Sequence, residues 1–236
     1  MENFYDELSY ETSTKSDGNL SFTYGERNEV LENRKKFLSK FGLRLDDTVV
    51  MSLHHGENIE IVDERNRGKD SSPADTLVTQ EPDLVLFLLT ADCLPIVYYD
   101  PDNKVVALGH LGWRGTEAKL SQKVVRFLHK EFGSNPSKLI ISIGPGIHKE
   151  SYRFDALGQK GAPGWEPYLT DLPDGNIAVD IVGYNLKQLI ESGVPKKNIS
   201  VSDVDTCKSQ NFFSHYRAKR TGEKEGRFAT IVTLKS

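Results

Sequence analysis

The fold is decided by residues 84–99, which read LVLFLLTADCLPIVYY. Residues 84–89 are continuously apolar, as expected for a β-strand that is buried on both faces. Residues 96–99 predict a second strand, and residues 105–108 predict a third, after a DPDN turn. The centre of the chain is therefore predicted to be a set of neighbouring strands, with the TADC tetrapeptide between the first two.

Further elements extend from this centre in both directions. Apolar runs predict strands at residues 49–53, 59–62, 139–143, 199–201 and 228–234. Capping residues, apolar stripes and terminal glycines predict three helices, which run from Asn28 to about Phe41, from Thr116 to about Phe132 and from Asp180 to about Ser192. Residues 63–75 and 156–176 are predicted to be loops. This alternation indicates one mixed or layered α/β domain over residues 1–236.

The composition is that of a soluble globular protein. Of the 236 residues, 37% are hydrophobic and 27% are charged, and the formal net charge is −4. A negative chain does not favour nucleic acid, and no apolar run approaches the roughly 20 residues of a membrane helix. The N-terminus lacks a signal-peptide pattern, and Cys93 and Cys207 are too few for a disulfide framework. We therefore expect a cytoplasmic protein that binds neither nucleic acid nor membrane.

Three short segments place a potential metal ligand at the end of an apolar strand. They are LHHG at 53–56, TADCLP at 90–95 and GHLGWRGT at 109–116. Functional sites are often built at strand ends, although a lone His or Cys there is more often part of the packing. His54 and His55 would point to opposite faces of a strand, so at most one of them joins a given site. Because the three segments are far apart in sequence, only the fold can bring them together.

The three segments resemble the signature of the YfiH family, also called DUF152 or the laccase domain. The family carries a histidine-glycine pair, then T-x-D-C-x-P, then H-x-G-W-R-G, and this chain has all three in that order. Further matches are ADTLVT at 74–79, IGPGI at 143–147 and FFS at 212–214. The chain differs from the family at Lys15, which replaces an arginine, and at Glu223, which replaces the arginine of a T-G-R motif. The resemblance implies a single-domain, layered α/β/β/α-type sandwich with mixed sheets.

The resemblance also implies the catalytic residues and the metal. In this family a zinc ion is bound by a histidine-cysteine-histidine triad, which corresponds here to His55, Cys93 and His110. Three protein ligands leave the fourth tetrahedral position open, as in catalytic rather than structural zinc sites. Copper is also an acceptable ion for Cys and His ligands, so adventitious copper binding is expected to occur at the same site.

Phosphate has three candidate ligands, which are Lys15, Arg114 and Arg217. The glycine-rich segment 112–116 precedes the helix that is predicted to start at Thr116, and a first helical turn offers free N–H groups to an anion. Arg114 could add a guanidinium to such a site, or it could pack on Trp113 and pair with a carboxylate. Lys15 and Arg217 compete with Arg114 because both lie in family-like segments.

The resemblance implies an enzyme of nucleoside metabolism. Members of the family are purine nucleoside phosphorylases that also have adenosine deaminase and methylthioadenosine phosphorylase activity. A purine nucleoside and phosphate are therefore the expected partners, and the protein is expected to be a monomer or a small homo-oligomer.

Three other functions were weighed against the phosphorylase. A copper-dependent polyphenol oxidase, or laccase, needs several copper centres, and six histidines without a His-x-His pair cannot build them. A hydrolase could use Cys93 as nucleophile and His110 as base. A zinc-stabilised binding module would need four ligands rather than three.

Overall fold

The structure is a computed structural model that describes residues 7–155 and 163–236. Its strands are β1 (Leu8–Thr12), β2 (Thr48–Leu53), β3 (Ile59–Ile61), β4 (Lys69–Ala74), β5 (Thr76–Thr79), β6 (Val85–Thr90), β7 (Leu94–Asp100), β8 (Val105–Leu111), β9 (Ile140–Ile143), β10 (Arg153–Phe154), β11 (Leu169–Asp171), β12 (Ile177–Val179), β13 (Ile199–Val201) and β14 (Phe228–Leu234). Its helices are α1 (Arg27–Ser39), α2 (Trp113–Glu117), α3 (Leu120–Phe132), α4 (Ile181–Glu191) and α5 (His215–Thr221).

Two large mixed sheets form the centre of the fold. The first has the strand order β1-β14-β6-β2-β4, and the second has the order β13-β9-β7-β8-β5-β3. In the first sheet β6 is parallel to β2 and antiparallel to β14. In the second sheet β7 is antiparallel to both β8 and β9, whereas β13 is parallel to β9. A small antiparallel sheet, β10-β12-β11, lies apart from them.

The layers of the fold explain why the central strand is continuously apolar. Leu86 of β6 and Val97 of β7 belong to one core between the two large sheets. Phe87 instead shares a core with Phe37 of α1, because successive residues of a strand point to opposite faces. On the other side, α3 and α4 cover the second sheet in a core that includes Leu128. These layers confirm the α/β/β/α-type sandwich with mixed sheets.

The prediction of one helix from Thr116 to about Phe132 is wrong for residues 116–119, because α3 begins only at Leu120. Two helices occupy this region, and they are separated by Lys119, which has a φ of 58°. Thr116 lies inside the short helix α2, where its hydroxyl donates to the carbonyl of Gly112 at 2.9 Å and accepts from Asn185 Nδ2 at 2.7 Å. This buried link to α4 holds α2 as a separate turn, so Thr116 does not cap α3.

Both predicted loops contain strands. Residues 63–75 include β4, which pairs in parallel with β2 at the edge of the first sheet. Its polar sequence KDSSPA lacks the apolar pattern of a strand, so its pairing comes from the tertiary structure. Residues 156–176 include β11, and residues 156–162 of that predicted loop lie outside the described residues.

The other two helix predictions are confirmed apart from one cap. Helix α1 begins at Arg27, so Asn28 lies within the helix rather than capping it. Helix α4 begins as predicted, because Asp180 Oδ1 accepts a hydrogen bond from Gly183 N at 2.7 Å. Among the described helices, none is long and apolar enough to cross a lipid bilayer.

Candidate active site

The three predicted ligands line one cavity of about 420 Å³ at an edge of the sandwich. His55 follows β2, Cys93 lies in the turn between β6 and β7, and His110 is near the end of β8. Because β2 and β6 are parallel neighbours in the first sheet, the residues that follow them emerge at the same edge. Strand β8 of the second sheet brings His110 to this edge from the opposite side. The fold therefore brings together residues that are 17 to 55 positions apart.

Two residues beside this cavity have strained backbone conformations. His55 has a φ of 59° and Asp92 has a φ of 86°, in the left-handed region that glycine normally occupies. The carboxylate of Asp92 accepts hydrogen bonds from Thr206 Oγ1 and from the backbone N–H of Tyr216, each at 2.7 Å. Such strain persists where the surrounding structure fixes the conformation, and it is common at functional sites. The buried carboxylate of Asp92 thus fixes the turn that carries Cys93.

Gly112 allows the Cys93 thiol to lie close to the backbone. A Cβ atom at position 112 would lie 2.8 Å from Cys93 Sγ, which is closer than real Cβ contacts. The glycine of the H-x-G-W-R-G motif is therefore required by the packing of the thiol rather than by a turn, since its φ is −84°.

The imidazole of His110 is buried between the thiol and a carboxylate. Its residue is 4% exposed, and its Nδ1 lies 3.8 Å from Asp75 Oδ1. Burial alone would lower the pKa of His110, but the negative charges of Cys93 and Asp75 outweigh it and raise the pKa to about 9. The ring of His55 lies 5.1 Å from the ring of His110, between centroids. Burial and the proximity of His110 lower the pKa of His55.

Asp75 connects the segments that carry the two histidines. Its Oδ2 accepts a hydrogen bond from Gly56 N at 2.9 Å, and its backbone carbonyl accepts one from His110 N at 2.8 Å. Its Oδ1 is buried and has no hydrogen-bond partner among the described residues. Burial raises the pKa of this carboxyl. The hydrogen bond and positive charge of His110 and the backbone N–H of Gly56 lower the pKa by more than burial raises it, so the net shift is downward.

The donor set fits zinc by its chemistry. Two imidazoles and one thiol are typical zinc ligands, and the carboxylate of Asp75 faces Nδ1 of His110 as an orienting partner does. With Nδ1 facing Asp75, Nε2 is the nitrogen left for a metal. Across residues 7–155 and 163–236, no three His, Cys, Asp or Glu side chains are grouped as they would be around a metal ion. The zinc ion therefore stays a proposal that rests on the donor types and their shared cavity.

Aromatic side chains form one wall of the cavity. Tyr152 packs edge-on against Phe154 and Tyr216, with centroid distances of 4.7 and 5.8 Å. The Tyr216 hydroxyl is fixed by the backbone of Arg153, to whose carbonyl it donates at 2.5 Å. Burial raises the pKa of Tyr152, so this phenol stays neutral. We call this space, with its wall of Tyr152, Phe154 and Tyr216, the aromatic cavity.

Of the three predicted phosphate ligands, only Arg114 lines the aromatic cavity. Its guanidinium lies 4.4 Å from the ring centroid of Trp113, and among the described residues no carboxylate pairs with it. Lys15 lies elsewhere, 3.8 Å from Glu223. The buried guanidinium of Arg217 donates to Glu223 and to four backbone carbonyls, which belong to Thr206, Cys207, Ser209 and Phe212.

Sequence reasoning missed several residues of the site. Helix α5 was not predicted, and it supplies His215, Tyr216 and Lys219 to the aromatic cavity. His215 Nδ1 lies 2.9 Å from Glu225 Oε2, which orients the ring. The adjacent FFS motif was the one signal near this helix, since Ser214 caps it by accepting from Arg217 N at 3.1 Å.

The sequence comparisons agree with the motif analysis. The chain matches the family model described as multi-copper polyphenol oxidoreductase laccase over residues 9–235. Purine nucleoside phosphorylase YlmD of Geobacillus stearothermophilus is 31% identical over 209 residues, which cover 83% of this chain and 76% of that protein. Adenosine deaminase RL5, from an unknown prokaryotic organism, is 30% identical over 222 residues, which cover 87% of this chain and 82% of that protein.

The structural comparisons agree as well. The crystal structure of YlmD from Geobacillus stearothermophilus superimposes with a TM-score of 0.89 at 26% identity, over 98% of this chain and 93% of that one. The YfiH protein of Bacillus licheniformis superimposes with a TM-score of 0.86 at 26% identity, over 97% and 93%. The chain therefore belongs to the YfiH, or laccase-domain, family, whose model is described as multi-copper polyphenol oxidoreductase laccase.

Proposed function

We propose that this protein is a zinc-dependent purine nucleoside phosphorylase that also deaminates adenosine. Its substrates would be adenosine, inosine and methylthioadenosine, with phosphate as the second reactant. The observation that carries the proposal is the aromatic cavity, which is lined by His55, Cys93 and His110 and has an aromatic wall. The names of the relatives, a purine nucleoside phosphorylase and an adenosine deaminase, support the same chemistry.

The aromatic cavity has the features needed to bind a purine. A planar base can pack against Tyr152, Phe154 and Tyr216, whose rings supply apolar area at little cost in conformational entropy. The volume of about 420 Å³ lies within the range of small-molecule sites. The network of Asp92, Thr206 and the backbone N–H of Tyr216 keeps this wall at a fixed distance from Cys93.

The residues around the metal site would divide the chemistry between them. Zinc, held by His55, Cys93 and His110, would supply Lewis-acid chemistry that lowers the pKa of water. Asp75 positions the segments of both histidines, because its carbonyl accepts from His110 N and its carboxylate accepts from Gly56 N. Glu225 orients His215 through Nδ1, and among the described residues its Nε2 has no hydrogen-bond partner. This nitrogen would serve proton transfer to or from a substrate in the cavity.

Both proposed reactions are balanced without an oxidant. In deamination, water adds at C6 of adenosine, ammonia leaves, and inosine forms. In phosphorolysis, a phosphate oxygen bonds to C1′ while the C1′–N9 bond breaks and its electron pair goes to the purine. The purine takes up the proton of hydrogenphosphate, and a pentose 1-phosphate is the second product.

The test is a metal analysis combined with product analysis by HPLC. Purified protein is expected to contain about one zinc per chain, to release bases from adenosine, inosine or methylthioadenosine only with phosphate present, and to form inosine from adenosine without it. Treatment with a chelator should abolish deamination, and added zinc should restore it. Zinc-loaded protein that leaves every purine nucleoside intact would refute the proposal.

One observation favours a second reaction, which is thiol-dependent hydrolysis. The Cys93 charge raises the pKa of His110, as in a nucleophile-base pair, and Asp75 occupies the position of the third, orienting member. A thiolate that binds zinc is a poor nucleophile. Alkylation of Cys93 by iodoacetamide should therefore be slow in zinc-loaded protein and fast after chelation, whereas equal rates would favour the hydrolase.

A copper-dependent oxidase is the third candidate, because the family model bears that description. Oxidation of phenols, if it is observed, is expected to increase with added copper and to be absent from copper-free zinc protein. Phenol oxidation by copper-free protein would contradict this expectation.

A further inference from the structure

A second cavity, of about 490 Å³, meets the aromatic cavity at the predicted metal ligands. His55, Cys93, His110 and His215 line both cavities. The two cavities therefore share one cluster of reactive side chains. A ligand in one cavity and a ligand in the other would meet at that cluster.

The second cavity has an apolar part and a polar part, and we call it the hydroxyl cavity. Its lining includes the apolar residues Met51, Leu53, Leu89 and Ala91 and the polar residues Ser21, Thr23, Tyr24, Thr90 and Arg227. Ser21, Thr23 and Tyr24 lie in the segment before α1, and Arg227 immediately precedes β14. Among the described residues, none of the three hydroxyls donates a hydrogen bond to another group. The Tyr24 hydroxyl accepts from Arg227 at 2.8 Å, which leaves its own O–H free to donate.

The charges around the hydroxyl cavity favour an anion. Its lining contains no Asp or Glu, whereas Asp75 and Asp92 line the aromatic cavity. Arg227 does face a carboxylate, since its Nη1 lies 3.5 Å from Glu225 Oε2. The Glu225 carboxylate also contacts Lys219 and His215. Its single negative charge therefore does not fully neutralise the positive charge of Arg227.

The guanidinium of Arg227 keeps donors available for a ligand. It is stacked on Tyr24 at 4.2 Å and uses two hydrogen bonds to hold its position, to Gly226 O and to the Tyr24 hydroxyl, both at 2.8 Å. A guanidinium has five N–H donors, so others remain for oxygen atoms in the cavity. Arginine with neighbouring hydroxyl donors is a typical environment for a phosphate group. The carboxylates that bind ribose hydroxyls most strongly are absent from the lining of this cavity, whereas Asp75 and Asp92 line the aromatic cavity.

We infer that the hydroxyl cavity binds inorganic phosphate as the second substrate, through Arg227 and the hydroxyls of Ser21, Thr23 and Tyr24. The inference rests on the proposed function, and it places the two reactants in the two cavities that share the ligand cluster. A nucleoside whose base packs in the aromatic cavity presents C1′ towards the cluster. Phosphate in the hydroxyl cavity would then bond to C1′ while the purine departs into the aromatic cavity.

The test separates phosphate binding from the rest of the site. Arg227→Gln removes the charge, and Tyr24→Phe removes one hydroxyl while keeping the ring. Phosphorolysis is followed across phosphate concentrations, and deamination, which consumes no phosphate, reports whether the metal site is intact. The apparent KM for phosphate should rise about tenfold in Arg227→Gln and about threefold in Tyr24→Phe. Because Arg227 also contacts Glu225, which orients His215, the comparison with deamination is made on Tyr24→Phe, whose deamination should change by less than about twofold.

Arg220→Gln is the matched control. Arg220 also stacks on a tyrosine, at 4.3 Å from the ring of Tyr216, but it lines neither cavity. Its substitution should leave the KM for phosphate unchanged. If both cavity variants fold and keep the wild-type KM for phosphate, or if Arg220→Gln raises it equally, the inference is overturned.

Titration calorimetry with inorganic phosphate distinguishes this inference from the proposed function. If wild-type protein cleaves no nucleoside, the proposed function fails, and the cavity is then judged by phosphate binding alone. Binding that is lost in Arg227→Gln and weakened in Tyr24→Phe supports the cavity as a phosphate site. No binding to wild type, or equal binding to wild type and Arg227→Gln, overturns it.

Discussion

Replacing Gly112 by alanine tests whether the Cys93 thiol must lie where the structure places it. The added Cβ would be 2.8 Å from Cys93 Sγ, so the thiol must move by about 0.6 Å to reach an ordinary contact of 3.4 Å. The backbone itself accepts alanine, because φ is −84° and ψ is −175° at this position. The effect of the substitution is therefore steric and falls on the thiol.

The size of this shift can be compared with the tolerance of a zinc site. Ligand distances in zinc sites are held to within about 0.2 Å, so a displacement of 0.6 Å exceeds what bond stretching can absorb. We expect Gly112→Ala to weaken zinc binding about ten- to hundredfold and to lower deamination at limiting zinc. Overpacking should also reduce the free energy of unfolding by about 1–3 kcal/mol.

Gly115→Ala is the control for this substitution. Its Cβ would meet its nearest atom, the His110 carbonyl oxygen, at 3.4 Å, which is an ordinary contact. Alanine is also favoured over glycine inside a helix by about 0.5–1 kcal/mol, so stability should not fall. Zinc affinity is measured by competition with a chromogenic chelator, and stability by thermal unfolding. If folded Gly112→Ala binds zinc as tightly as Gly115→Ala, Cys93 is not a zinc ligand and the reasoning is wrong.

Five further substitutions test residues in and near the site. His54→Ala should retain zinc and His55→Ala should lose it, as measured by metal content, because only His55 lines the cavities; equal losses would contradict this assignment. Asp75→Asn should weaken zinc binding about tenfold or more in chelator competition, with thermal stability nearly unchanged. His215→Gln should lower kcat for deamination while zinc content stays constant, and an unchanged kcat would exclude it from proton transfer. The guanidinium of Arg217 donates to backbone carbonyls rather than facing a ligand. Arg217→Ala should therefore lower the free energy of unfolding by about 2–4 kcal/mol in denaturant unfolding, and the KM for phosphate of the folded variant should not rise.

Elements with strong local signals could be predicted from the sequence. Strand β6 is apolar from Val85 to Leu89 because both of its faces are covered, and α4 follows Asp180, whose side chain caps it. Strand β4 has no such signal, because it is polar and exists through its pairing with β2. The break between α2 and α3 could not be predicted from the sequence either, because it depends on contacts of Thr116 with α4.

The site was predictable only in part, for a related reason. The spacing of His55, Cys93 and His110 carries no local pattern, and these residues meet because two sheets present their edges on one side of the sandwich. The family motifs singled out these three residues together. Their spacing in the sequence alone gave no reason to group them. The aromatic wall had no comparable signal, because Tyr152 and Tyr216 come from segments whose structure was not predicted.

The family's description as a multi-copper oxidase demands more histidines than this site provides. Of the six histidines, His55, His110 and His215 line the aromatic cavity, and His215 is held by its contact with a carboxylate. His129 lies on α3, where its Nδ1 is 2.9 Å from the carbonyl of Ser134. A multicopper enzyme needs separate copper centres, each with its own ligands, and one Cys/His cluster serves one ion. Under the proposed function, the two cavities that share this cluster would each hold one reactant of phosphorolysis, the planar base against the aromatic wall and the oxyanion beside Arg227.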